Sequence, residues 1–200
     1  MPDPATTETS VPSDEPEPPS GGLSVGRTPP AAWPHLDPDS AAAWAVSFHT
    51  QVGDVDPPAA GWIEPLLTEA AQRSGVTGGW LDVTLVDDAA MADLHAEHHG
   101  DPTTTDVITF DLADPDAPTS HVEGDLVVCR DEAVRQAEAR GHDARLELLL
   151  YAVHGLMHLL GEDDGEPEAY DRMHRREDEL LGAMGFGPVF AVGAARSGRS

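Results

Sequence analysis

The sequence predicts an α+β domain in which a small sheet packs on one apolar helix. Two observations carry that expectation. Alternating apolar residues mark strands in the earlier part of the chain, and helical spacing takes over towards the end. Within the helical part, Leu146, Leu149, Leu150, Val153, Met157 and Leu160 form an amphipathic stripe that ends in the run HGLMHLLGEDD, residues 154–164.

The elements follow in order. Residues 1–40, rich in Pro, Ser, Thr and acids, have almost nothing to bury and read as a disordered acidic tail. The folded domain is expected over residues 41–184. Trp44, Val46 and Phe48 alternate as a first strand, and a helix follows Pro57 and Pro58 with Trp62, Ile63, Leu66, Leu67 and Ala70 at helical spacing. Gly78-Gly79 breaks the chain before a strand over 80–86, and Asp87 or Asp88 can cap the helix holding Met91, Leu94 and His95. Strands are expected at 105–112 and 123–129, separated by a Pro- and Asp-rich loop. A short helix at 131–140 closes at Gly141, and the motif helix then runs from Asp143 to Leu160. Pro167 suits the start of a last helix, ending near Met184, and 185–200 reads as a flexible C-terminal tail.

Composition narrows the function classes. The chain has 200 residues and a formal charge of −26, and all its basic residues are arginines. Such a charge argues against nonspecific nucleic-acid binding through a broad basic face, so DNA is not an expected partner. A local arginine patch or a metal ion can still bring RNA to an acidic protein. Cys129 is the single cysteine, so no internal disulfide forms, which fits a reducing cytoplasm. The first residues lack the pattern of a signal peptide, and no stretch is apolar enough to span a bilayer. A cytoplasmic protein with no membrane partner is expected.

The chemistry concentrates in residues 154–164. His154 and His158 stand one turn apart on one helix face, so both imidazoles reach a single ion. Zinc in a catalytic site takes three N or O ligands and keeps a fourth position open. Asp164, beyond the helix-stopping Gly161, has the spacing of a third ligand. Asp163 could orient a ligand, while Glu162 is either a base or an exposed loop acid. Zinc peptidases of the HExxH type carry their general base directly after the first histidine, where this chain has Gly155. His35, His49, His121, His142 and His174 lack ligand spacing and read as surface or core residues.

Three ordered segments resemble one family, the YbeY endoribonucleases, bacterial rRNA maturation factors. Residues 154–164 are similar to that family's HGxLHLxGYDH, matching at His154, Gly155, His158, Leu159, Gly161 and Asp163. Residues 94–110, LHAEHHGDPTTTDVITF, resemble LNxxYRGxxxPTDVLSF, and EGDLVVCRDEAVRQA resembles the GDIVIS stretch with its helix, including Gly124 and Asp125. The resemblance spans roughly residues 41–184. It implies a small mixed β-sheet flanked by helices, a zincin-like metal helix and one Zn(2+) ion on His154, His158 and Asp164. It also implies a single-stranded rRNA substrate, 16S rRNA 3′-end maturation, ribosome quality control, and the ribosomal small subunit and its proteins as partners.

Two positions depart from the family pattern. Asp164 replaces a histidine, and a carboxylate leaves zinc a weaker Lewis acid. His99 replaces the arginine of YRG, and a neutral imidazole cannot clamp a phosphate bidentately. The expected catalytic residues are His99, His154 and His158, with Arg130 and Arg135 offsetting phosphate charge or lying on solvated helix faces. Thr105 and Asp106 either shape the cleft or end a strand. A ribosome assembly factor with structural zinc and no cleavage activity is the alternative, and a metallopeptidase is a third reading.

Overall fold

The computed structural model describes residues 44–52 and 58–187. The expected tails, residues 1–40 and all but the first three residues of 185–200, lie outside the described residues, as does His35. Nine elements follow: β1 (Trp44–Thr50), α1 (Pro58–Arg73), β2 (Gly78–Val86), α2 (Asp88–His99), β3 (Val107–Asp111), β4 (His121–Cys129), α3 (Arg130–Arg140), α4 (Ala144–Leu159) and α5 (Pro167–Ala183). The fold is α+β, with a mixed four-stranded sheet in the order β1-β2-β4-β3.

Strands are not segregated early as expected, because helices alternate with them. α1 returns the chain so that β1 and β2 run parallel. β4 then pairs parallel to β2 and antiparallel to β3, which is the source of the mixed character. The 105–112 strand is shorter than expected. The Asp106 side chain accepts from the Thr105 hydroxyl and from the Val107 N–H at the strand's entrance, while its carbonyl accepts the Cys129 N–H at 2.8 Å as the last bond towards β4.

Helix starts follow their capping chemistry. Asp87 accepts the Ala90 N–H at α2, and Asp143 accepts the Arg145 N–H at α4. Asp88 is not the cap; it lies in the first turn of α2 and pairs with Arg135 of α3.

α4 departs from the amphipathic expectation. Every residue from Glu147 to Val153 is buried, as are Gly155, Leu156 and Met157. The helix packs against the sheet and against α1, α3 and α5, so an apolar residue is favoured on nearly every side. Two glycines let it approach closely. A Cβ on Gly155 would stand 2.6 Å from Leu126 Cδ2, and one on Gly124 of β4 would stand 2.8 Å from Leu159 Cδ1. Among the described residues no helix is long and apolar enough to cross a membrane.

Candidate metal centre

The motif residues meet where α4 ends. Gly161 adopts a left-handed backbone (φ 84°). Its N–H donates to the His158 carbonyl at 2.9 Å, and the Glu162 N–H donates to the Met157 carbonyl at 3.0 Å. This is a Schellman closure, which satisfies the orphan carbonyls of the last turn and reverses the chain. The loop then carries Asp164 back over the histidines, as the spacing predicts. Asp164 Oδ2 lies 3.6 Å from His154 Nε2, and Oδ1 lies 3.9 Å from His158 Nε2.

Hydrogen bonding assigns the tautomers. His158 Nδ1 lies 3.0 Å from the Glu162 carbonyl, which can only accept, so Nδ1 carries the proton. His154 Nδ1 lies 2.7 Å from Glu177 Oε1, so it too donates. In each neutral ring Nε2 is then a bare lone pair, and the two Nε2 atoms face each other at 3.1 Å. Two lone pairs and a carboxylate converging on one point repel unless a cation or a shared proton sits among them. Zn–N bonds of about 2.0–2.1 Å around a tetrahedron separate two nitrogens by about 3.3 Å, close to what is seen. The donor set His154, His158 and Asp164 therefore fits one divalent ion.

The His154 ring is mostly buried. That burial opposes its imidazolium, but the Glu177 hydrogen bond and charge, with Asp106 and Asp164 adding, outweigh it and hold the pKa above the ordinary histidine value.

Glu177 and His174 belong to this site, and the sequence reading missed both. Glu177 is fully buried and joins His154 to His174, whose Nδ1 lies 2.6 Å from Oε2. The missed signal is a carboxylate at the apolar stripe of α5, between Met173 and Leu180, where a leucine would be expected. His174 is thus neither a surface nor an ordinary core residue.

Other expected residues fall elsewhere. Asp163 is exposed and accepts the Gly165 N–H, shaping the loop. The Glu162 side chain pairs with Arg176. Gly155 faces Leu126 and Thr109 of the sheet, so a glutamate there would meet packed side chains rather than the histidine pair. The peptidase reading loses the space for its base as well as the base itself. His99 is exposed in the last turn of α2, its ring 5.2 Å from that of His95, and it is not part of the metal-ligand groups among the described residues. Arg130 pairs with Asp131, and Arg135 with Asp88 and Glu132. Asp125 points away from α4, on the opposite sheet face from Gly124; burial and then the neighbouring Asp82 raise its pKa.

Comparison with known proteins agrees with the motif geometry. The family model described as Endoribonuclease YbeY matches residues 46–185. A protein of that name from Thermobifida fusca is 42% identical over 107 residues, which cover 50% of this chain and 69% of the relative. Its namesake from Mycobacterium ulcerans is 42% identical over 112 residues, covering 52% of this chain and 63% of the relative. The one from Frankia alni is 41% identical over 111 residues, covering 50% and 61%. The chain thus spans about two thirds of the length of these relatives. A solution structure from Thermotoga maritima aligns with a TM-score of 0.48 at 21% identity, covering 78% of this chain and 96% of that one.

Proposed function

The chain belongs to the Endoribonuclease YbeY family, and from that premise we propose that it is a metal-dependent endoribonuclease that cuts single-stranded RNA in rRNA processing. The observation that supports the metal requirement is the convergence of the two Nε2 atoms, 3.1 Å apart, with the Asp164 carboxylate 3.6 and 3.9 Å from them. Two imidazoles and a carboxylate suit zinc, which when bound there would supply Lewis acidity at a scissile phosphodiester.

The protein's own groups do the rest. Glu177 and the Glu162 carbonyl hold the Nδ1 protons, keeping both Nε2 atoms free for ligation. Asp164, at the rim with its side chain 37% exposed, closes the third side and leaves the cleft open to solvent. His99, exposed on α2 at the position of the family's arginine, contacts the phosphate or donates a proton to it. The substrate proposed is single-stranded rRNA at the 16S 3′ end, reached with the ribosomal small subunit as partner and serving ribosome quality control, in the cytoplasm. Docking on basic ribosomal proteins suits an acidic protein better than a grip on naked RNA, since a charge of −26 repels phosphates.

The experiment is cleavage of a single-stranded RNA by purified protein, with metal content measured alongside. Activity lost with chelator and restored by zinc is the expected result. One observation favours the assembly-factor reading: Arg130 and Arg135 are tied to acids rather than presented to a substrate. Metal bound and ribosome association kept, with no cutting, would establish that reading instead.

A further inference from the structure

We infer that Glu177 is a positioning residue for the metal centre and that His174 holds it in place, so that the buried chain His154–Glu177–His174 decides which nitrogen of His154 faces the ion. The inference rests on the reading of His154 as a metal ligand. An ionised carboxylate without any solvent contact is costly unless each oxygen is hydrogen-bonded. Glu177 meets that requirement with two rings, Oε1 taking His154 Nδ1 at 2.7 Å and Oε2 taking His174 Nδ1 at 2.6 Å. Nothing about α5 packing asks for an acid here, since Met173 and Leu181, its buried neighbours on the helix, are apolar.

The two rings lie nearly parallel, 27° apart with centroids 6.1 Å from each other, and Tyr170 abuts His174 edge-on at 3.9 Å. Tyr170 thus packs on the His174 ring, and Glu177 cannot swing away from His154 without also breaking its bond to His174. A carboxylate behind a ligand histidine fixes its tautomer and raises its basicity as a donor. His158 takes the same support from a backbone carbonyl, which no side-chain substitution removes. The side-chain-dependent half of the site is therefore His154.

The same three side chains could instead hold a second ion of their own. Ring-nitrogen to oxygen distances of 2.6–2.7 Å are those of charge-assisted hydrogen bonds, which favours protons there.

The test is zinc titration of the metal-stripped full chain against a chromophoric chelator, with the visible spectrum of the cobalt(II) form as a second readout and thermal unfolding of the stripped proteins as the folding control. Glu177→Gln should keep one ion per chain but bind zinc about ten- to a hundredfold more weakly, with a shifted cobalt spectrum. His174→Ala should weaken zinc in the same direction, and His174→Gln, which keeps an N–H toward Glu177, should restore it. Wild-type affinity and spectrum in both Glu177→Gln and His174→Ala would overturn the inference while leaving the metal site standing. Two ions in the wild type and one in Glu177→Gln would overturn it in favour of a second site. A wild-type chain that takes up no metal would bring down the metal reading itself. Should Glu177→Gln fail to fold, the His174 pair decides: equal wild-type affinity in both variants overturns the inference.

Discussion

Two histidine pairs in this chain share a local pattern and differ in everything beyond it. His95 and His99 stand four apart on α2, which ends at left-handed Gly100; His154 and His158 stand four apart on α4, which ends near left-handed Gly161. Ring centroids are 5.2 Å apart in the first pair and 4.6 Å in the second. Each pair even has one Nδ1 on a backbone carbonyl, Thr103 for His95 and Glu162 for His158. The α2 pair stops there. Acids that follow it serve their own loop: Asp101 accepts the Thr103 N–H, which holds its carboxyl below the usual range, and Asp106 accepts the Val107 N–H. The α4 pair gains Asp164 from a reversing loop and Glu177 from another helix. Spacing of i, i+4 therefore brings two imidazoles together, but a third donor and a fixed tautomer distinguish the candidate metal site.

The two pairs should respond unequally to matched substitutions, and equal responses would erase the difference between them. His158→Ala should abolish zinc retention and RNA cleavage together, read by metal analysis and a gel assay; an alanine variant that cuts as fast as the wild type ends the proposal. Gly155→Ala should come next. It forces a methyl against Leu126 and Thr109 in a closed core, and about 1–3 kcal/mol of stability should be lost in denaturant unfolding, with α4 pushed off the sheet. An unchanged midpoint would mean that the sheet yields freely at this point.

His99→Ala, the counterpart of His158→Ala, should leave zinc affinity within about twofold of wild type while slowing cleavage; the removed group is at most one proton-transfer or phosphate contact, worth about a hundredfold or less. His99→Arg should restore or exceed the original rate, because a guanidinium grips phosphate in a fixed fork. Loss of zinc in His99→Ala would show that the two pairs are coupled. His95→Ala should have the smallest effect, loosening the 100–106 loop through the lost Thr103 contact without changing metal content.

Much of the fold was legible because it rests on local chemistry. Alternation in Leu81, Val83 and Leu85 marked β2, Asp143 and Pro167 marked helix starts, and Gly141 and Gly161 marked stops. The family match and the two-histidine helix were legible for the same reason: ligands from one turn of helix and its closing loop are set by short-range geometry. α4 was misjudged as amphipathic because burial on its remaining sides comes from α1, α3 and α5, which sequence spacing along α4 cannot display.

The sequence by itself determined the helix that carries His154 and His158, its stop at Gly161 and the return of Asp164, since hydrogen bonds within a few residues dictate all three. Tertiary structure decided the rest. It placed Glu177, 23 residues from His154, behind that ring and gave it His174 as a second partner. It also aimed Gly155 at the sheet rather than at the histidine pair. The physical reason is burial: a carboxylate becomes a fixed, oriented acceptor only when packing removes its water, and packing is a property of elements brought together rather than of any one of them.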